Sequence, residues 1–213
     1  MIGISYALTT HNEGSVYIRP LLERLLKHIK PDDEIVVVDD YSTEETTVDV
    51  LQEYGDKINL YYHNLDNDFA QHKNFVKSKC TKDYIFFIDA DENVHDNLLT
   101  TLEEILLNNS EIELFYVPRI NIVQGITQEH ITKWGWNIND KGWVNYYDPQ
   151  GRICANKPEL KWEGFVHERI VGHKTHATLP AFDSDGSPIA DYCLLHIKDI
   201  RRQERQNNFY SSI

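Results

Sequence analysis

The chain predicts an α/β protein: a doubly wound, mostly parallel sheet followed by a smaller mixed region. Three observations carry this. Strand-like and helix-like patterns alternate without interruption through the first half of the chain. The strand-like runs, such as Tyr84-Ile85-Phe86-Phe87-Ile88, are continuously apolar and rich in β-branched and aromatic residues, as strands covered on both faces are. Polar residues gather just after those runs, at the carboxyl ends where open α/β sheets bind ligands.

The elements follow in order. Ile4 to Leu8 reads as the first strand. Ile18, Leu21, Leu22, Leu25, Leu26 and Ile29 recur at helical spacing, and Pro20 is accommodated by placing it near the helix start. Glu34 to Asp39 is the second strand, and Ser42 or Thr43 is the expected cap of a helix carrying Val48, Leu51 and Tyr54. Ile58 to Tyr62 is the third strand, ahead of a helix through Phe69, Phe75 and Val76. Tyr84 to Ile88 is the fourth, and Leu98, Leu99, Leu102, Ile105 and Leu106 mark the next helix. Leu114 to Asn121 reads as a strand leaving this half, Tyr192 to His196 as an apolar strand, and Ile200 to Tyr210 as a short basic helix with Ile200 and Phe209 as anchors. A solvated face is the expected state of that helix. A single domain over 1–213 is expected, with halves at 1–112 and 113–213.

Composition narrows the function. The 213 residues are 41% hydrophobic and 11% aromatic, enough for one sizeable core. The amino terminus reads as a strand, without a charged leader and apolar stretch, and no run reaches membrane-span length, so a cytoplasmic protein without an integral membrane segment is expected. Cys80, Cys154 and Cys193 are widely spaced and outside any CxxC pattern, which favours buried thiols. A net charge of −13 disfavours nucleic acid as a partner, although Lys198, Arg201, Arg202 and Arg205 form a local basic patch.

Asp89-Ala90-Asp91, at the end of the fourth strand and opening a loop ahead of a helix, is the most informative triplet. Two aspartates there suit a hard divalent cation, Mn²⁺ or Mg²⁺, that takes one or two carboxylates and fills its shell with water and phosphate oxygens. Thr9-Thr10-His11-Asn12-Glu13-Gly14 follows the first strand and Asp39-Asp40-Tyr41-Ser42 the second. Together the loops outline a nucleotide pocket. The carboxylate ending strand two would accept a base N–H, the first loop would hold ribose or base edges, and a cation on Asp91 would take a diphosphate. Each loop taken singly is also explained by capping and turn chemistry.

Thr9-Thr10-His11-Asn12-Glu13, Val38-Asp39-Asp40-Tyr41-Ser42, Phe69-Ala70-Gln71-His72-Lys73-Asn74 and Ile88-Asp89-Ala90-Asp91-Glu92 resemble, in order and spacing, the P-T-Y-N-E, V-D-D-x-S, F-A-x-x-R-N and D-A-D-D/E signatures of family-2 nucleotide-sugar glycosyltransferases of the GT-A fold. The resemblance implies a UDP-sugar donor, with Asp39 at the base, Asp89 at the ribose and Asp91 on the metal. Thr9, His11, Glu13, Lys73 and Ala90 are implied to line the donor site. Thr9 replaces the usual proline and Lys73 the usual arginine, which costs the bidentate fork on phosphate. Trp162-Glu163-Gly164-Phe165-Val166-His167-Glu168 and Asp148-Pro149-Gln150-Gly151-Arg152 resemble the W-x-G-x-V-H-E and D-x-Q-x-R segments of lipopolysaccharide-core-related members.

Inverting sugar transfer needs a carboxylate to take the acceptor proton and a metal to hold the departing charge. Glu168 is the candidate base, placed on an alternating strand with Val166 and Ile170, and Asp148 is the alternative. His196, at the end of its strand, and His167 are the candidates to complete the metal shell. Trp134, Trp136, Trp143, Tyr146 and Tyr147 form either a sugar-stacking platform or a small satellite core. The acceptor is left open between a saccharide, a lipopolysaccharide-type or other phosphate-bearing acceptor, and a hydroxymethylated base of viral DNA. A nucleotidyltransferase and a non-catalytic nucleotide-sugar binding module are the rival classes. The first would be expected to carry a Gly-rich basic loop after strand one, which Thr9 to Gly14 is not.

Overall fold

The computed structural model describes residues 2–164 and 168–210, and the side chains up to 207 in the last helix. Seven strands form the main sheet. β1 (Ile4–Thr10), β2 (Glu34–Asp39), β3 (Asn59–Tyr62) and β4 (Tyr84–Asp89) are parallel, and β8 (Gln150–Ala155) runs antiparallel between β4 and β6 (Leu114–Val117), with β11 (His176–Thr178) at the far edge. The spatial order is β3-β2-β1-β4-β8-β6-β11. Chain order reverses between β1 and β4, so the crevice beyond their carboxyl ends is a topological switch point. Thr9 pairs with Asp89 in that register, which sets the first loop against the aspartate triplet.

Helices cover both faces. Ile18, Leu21, Leu22 and Leu25 of α1 (Gly14–His28), Val50 and Leu51 of α2 (Glu45–Glu53) and Leu98, Leu99, Leu102 and Leu106 of α4 (Asp96–Asn108) pack one face with Ile4, Leu8, Val37 and Phe86. On the other, α3 (Phe69–Lys79) and the hairpin β9–β10 (Lys161–Glu163, Arg169–Val171) cover Ala7, Val36, Val38, Ile85 and Phe87. A second sheet sets β12 (Leu194–Asp199) between β5 (Glu92–Val94) and β7 (Arg119–Gln124), and leads into α6 (Ile200–Tyr210). A short helix α5 (Gln128–Trp134) follows β7. Cys80, Cys154 and Cys193 are buried and free. Among the described residues no helix is long and apolar enough to cross a membrane.

Several local expectations are corrected. α1 begins at Gly14, so Pro20 lies in its interior; its ring removes a hydrogen bond to Val16, and both residues are exposed where water can serve that carbonyl. The cap of α2 is Glu44. Ser42 turns back to Asp39 and Thr43 donates its backbone N–H to Asn12, while the Glu44 carboxylate accepts from the hydroxyls of Thr46 and Thr47. Gly14 N–H in turn donates to Thr47 Oγ1 at 2.7 Å, which locks the two helix starts together and fixes the loop carrying His11 and Glu13. The run from Leu114 to Asn121 breaks at Pro118, and its two parts enter different sheets. Asp91 leads into the short strand β5 before any helix starts. His196 is the third residue of its strand. Glu168 stands just ahead of β10, and His167, with Phe165 and Val166, lies outside the described residues. The side chain of Phe209, expected as an anchor, also lies outside them.

Candidate active site

A cleft of ≈ 540 Å³ opens at the switch point, lined among others by Thr9, His11, Glu13, Lys73, Asp89, Ala90, Asp91, Glu168 and His196. Nine of the twelve residues singled out from the sequence therefore meet in one place. His167 lies outside the described residues, and Asp39 and Asp148 are not on the lining. The Asp39 carboxylate accepts from the Ser42 N–H and hydroxyl at 3.0 and 2.5 Å, which turns it toward a shallow neighbouring pocket beside Tyr41 and Tyr62. Asp40 lines the main cleft instead, held by the Leu65 N–H on Oδ1 and by His11 near Oδ2.

His196 is brought to Asp91 by the second sheet. Its register sets His196 opposite Glu92 on β5 and Asn121 on β7. Asn121 Nδ2 donates to Asp148 Oδ2 at 2.9 Å, which leaves Asn121 Oδ1 to accept from His196 Nδ1–H at 2.9 Å. With Nδ1 donating to Asn121, Nε2 faces Asp91 Oδ2 at 3.2 Å, donating to that carboxylate in the imidazolium form and turning a lone pair toward it in the neutral form. A lone pair and a carboxylate oxygen set face to face attract a cation, and a ligating histidine characteristically donates its other N–H in this way. Burial alone would raise the Asp91 carboxyl; the contacts with His196 and Arg202 outweigh it and hold it below the usual carboxylate range. The donor set therefore fits a hard divalent ion taking two protein ligands, with substrate oxygens and water completing the shell.

Asp148 is consumed by this support. Arg119 donates Nε and Nη2 to Oδ2 at 2.9 and 2.6 Å, and Gln150 donates to Oδ1 at 2.7 Å. Against burial, these donors hold its carboxyl below the usual range. A carboxylate with its lone pairs so occupied is poorly placed to take a proton.

Glu168 is set differently. Asn74 exchanges hydrogen bonds with the backbone of Trp162, N–H to Oδ1 and Nδ2–H to O, both at 2.9 Å, clipping the β9–β10 hairpin onto α3. Trp162 stands edge-on to Phe87 and carries the Lys73 ammonium 4.7 Å from its ring centroid. Lys73 Nζ then bridges Glu168 Oε1 at 2.8 Å and Asp89 Oδ1 at 3.2 Å. Asp89 Oδ2 accepts from Arg152 Nη2 at 2.6 Å, and Glu92 Oε1 accepts from both Arg152 and Arg119. Burial raises the Asp89 carboxyl, yet Arg152 and Lys73 carry it well below its ordinary value.

The sequence reading gave no role to Arg119, nor to Glu92, Arg152 and Asn74, which stood inside quoted motifs; the pairings of Arg119, Glu92 and Arg152 join strands far apart in the chain. It also placed Arg202 in a solvated helix face, whereas Arg202 reaches into the cleft and donates to Glu13 and Asp91. Of the aromatic group, Trp143 packs with Ile120, Cys193 and Tyr146 as a satellite core, Trp134 and Trp136 contact one another, and Tyr147 is exposed beside Phe182.

An open α/β sheet with a polar crevice at its switch point is a ligand-binding architecture. The family model described as Glycosyl transferase family 2 matches residues 5–156, and the chain belongs to that family. The SPbeta prophage-derived glycosyltransferase SunS of Bacillus subtilis is 35% identical over 71 residues, 33% of this chain and 17% of that protein. Glycosyltransferase GlyG of Streptococcus pneumoniae is 29% identical over 101 residues, 46% of this chain and 33% of that protein. The crystal structure of Staphylococcus aureus TarS 1–349 superposes with a TM-score of 0.61 at 16% identity, covering 92% of this chain and 60% of that one. This likeness establishes a shared GT-A-like fold. The chain spans a third or less of the two curated relatives.

Proposed function

We propose that this chain catalyses inverting, divalent-cation-dependent transfer of a sugar from a UDP-sugar to a hydroxyl of a saccharide acceptor. The observation that carries this is the convergence of Asp91 Oδ2 and His196 Nε2 at 3.2 Å beyond the ends of β1 and β4. Support comes from family membership and from the fold shared with TarS, which is known in complex with UDP-GlcNAc, a structure matched at a TM-score of 0.53 and 16% identity.

Asp91 and His196 would hold Mn²⁺ or Mg²⁺, and such an ion supplies neutralisation of the departing diphosphate charge. Thr9, His11, Glu13 and Ala90 line the donor end, with Asp40 replacing Asp39 as the carboxylate facing the base. Asp89, held by Arg152 and Lys73, presents a fixed acceptor for ribose or sugar hydroxyls. Glu168 takes the acceptor proton: it lines the cleft, and its Oε1 is oriented by Lys73. Asp148 and Asn121 act through His196 as positioning residues.

The test is turnover. The protein is incubated with a panel of UDP-sugars, Mn²⁺ and saccharide acceptors, and the released nucleotide product is identified. Release of UDP with glycosylated acceptor is expected; pyrophosphate release, or a donor bound without turnover, would contradict the reading.

A further inference from the structure

Arg202 stands in the first turn of α6, where its backbone N–H donates to Asp199 Oδ1 at 2.9 Å. Its Nη2 donates to Glu13 Oε2 at 2.6 Å and to Asp91 Oδ2 at 2.9 Å, and its guanidinium carbon lies 4.7 Å from the Tyr17 ring centroid. The oxygen of Asp91 that faces His196 thus already carries a cation, delivered from the far end of the chain. A divalent ion ligated by that oxygen and a guanidinium hydrogen-bonded to it are like charges in one place, so one displaces the other. A guanidinium displaced from Asp91 would still have Glu13 and the Tyr17 ring as partners in the cleft, and a diphosphate bound there would offer oxygens that match its fork.

We propose that Arg202 is the resident counter-ion of the donor site: it neutralises Asp91 before the donor binds and passes to the diphosphate when the cation takes Asp91, with Glu13 retaining it. This rests on the reading that Asp91 and His196 take the divalent ion. It assigns Arg202 two opposed effects, antagonism of the metal alone and support of the nucleotide. A helix anchor without contact to the ligands would weaken both together.

The experiment measures Mn²⁺ binding without nucleotide, by the electron paramagnetic resonance signal of free Mn²⁺, and UDP binding at saturating Mn²⁺, by calorimetry. Arg202→Met keeps an unbranched apolar stem and removes the guanidinium with its charge. It is expected to bind Mn²⁺ alone about tenfold tighter and UDP about tenfold more weakly, the size of one charged hydrogen bond gained or lost. Arg202→Lys keeps a cation and is expected to hold Mn²⁺ as the parent does, with a smaller loss of UDP. Equal or weaker Mn²⁺ binding by Arg202→Met, unchanged UDP affinity, or identical behaviour of the two variants overturns the handover. Asp91→Asn separates the two levels. Loss of Mn²⁺ in Asp91→Asn beside an unmoved Arg202→Met overturns the handover alone; retention of Mn²⁺ in Asp91→Asn overturns the metal reading and the handover with it.

Discussion

Asn121→Leu cuts the connection between Asp148 and His196 while keeping the branched shape of the side chain. In the parent, the Asp148 carboxylate is an acceptor, so it fixes Asn121 Nδ2 as the donor; Asn121 Oδ1 then fixes the proton on His196 Nδ1. The leucine variant removes both bonds and frees the ring to rotate or to carry its proton on Nε2, where it blocks a cation. Losing such an outer partner of a ligating histidine characteristically weakens metal binding about 10–100-fold, or ~1.4–2.7 kcal/mol. Asp148 keeps Arg119 and Gln150 as donors, so its charge stays paired. The bond lost from that carboxylate is worth about 1.5–3 kcal/mol of stability and the one lost from His196 about 1 kcal/mol. Mn²⁺ affinity in the presence of UDP is the assay, with urea unfolding as the control. A parental Mn²⁺ affinity in a folded Asn121→Leu protein would refute both the tautomer argument and the placement of His196 in the metal shell.

Glu168→Gln is expected to lower single-turnover transfer about 10²–10⁴-fold while UDP affinity stays near parental, whereas Asp148→Asn keeps transfer within about tenfold; the reverse pattern would move the base to Asp148. Burial, reinforced by Asp91 against the pull of Arg202, raises the Glu13 carboxyl to about 7. A raised carboxyl keeps a proton in the folded state that the unfolded chain has released, so its contribution falls as pH climbs from about 4.5 to about 7. The stability of the parent relative to Glu13→Gln should therefore drop by about 1–3 kcal/mol between pH 4.5 and 8 in urea titrations, and a flat or rising difference would contradict the shift. Arg152→Met leaves Asp89 and Glu92 without their shared guanidinium and should cost about 3–5 kcal/mol of unfolding free energy, since Arg152 and Glu92 are 3% and 2% exposed. A loss under ~1 kcal/mol would mean that the pair is solvated in solution.

The parallel half was legible in the sequence because β1, β2 and β4 are buried on both faces, and such strands must be written as apolar runs that end abruptly at the ligand edge. What was not legible was set by contacts remote in sequence. The three-residue strands β5, β9, β10 and β11 have too little length to show a period, and they form because a partner strand is supplied from elsewhere. Pro118 was visible in the run from Leu114 to Asn121, and its inability to donate in a ladder already marks where one strand becomes two. Within the site, Asp91 and Glu168 could be nominated from local motifs. That Asp40 rather than Asp39 lines the cleft could not be, because it depends on Ser42 folding back onto Asp39. Arg202 reads as part of a surface basic helix until the second sheet aims α6 at the ends of β1 and β4.

The central claim is a cation-dependent donor site built on Asp91. It is tested most directly by calorimetric titration of UDP into the parent protein and into Asp91→Asn, each in Mn²⁺ and again with the metal chelated. The account predicts UDP binding by the parent that needs Mn²⁺ and is lost in Asp91→Asn; equal binding with and without metal, or undiminished metal-dependent binding by Asp91→Asn, would contradict it.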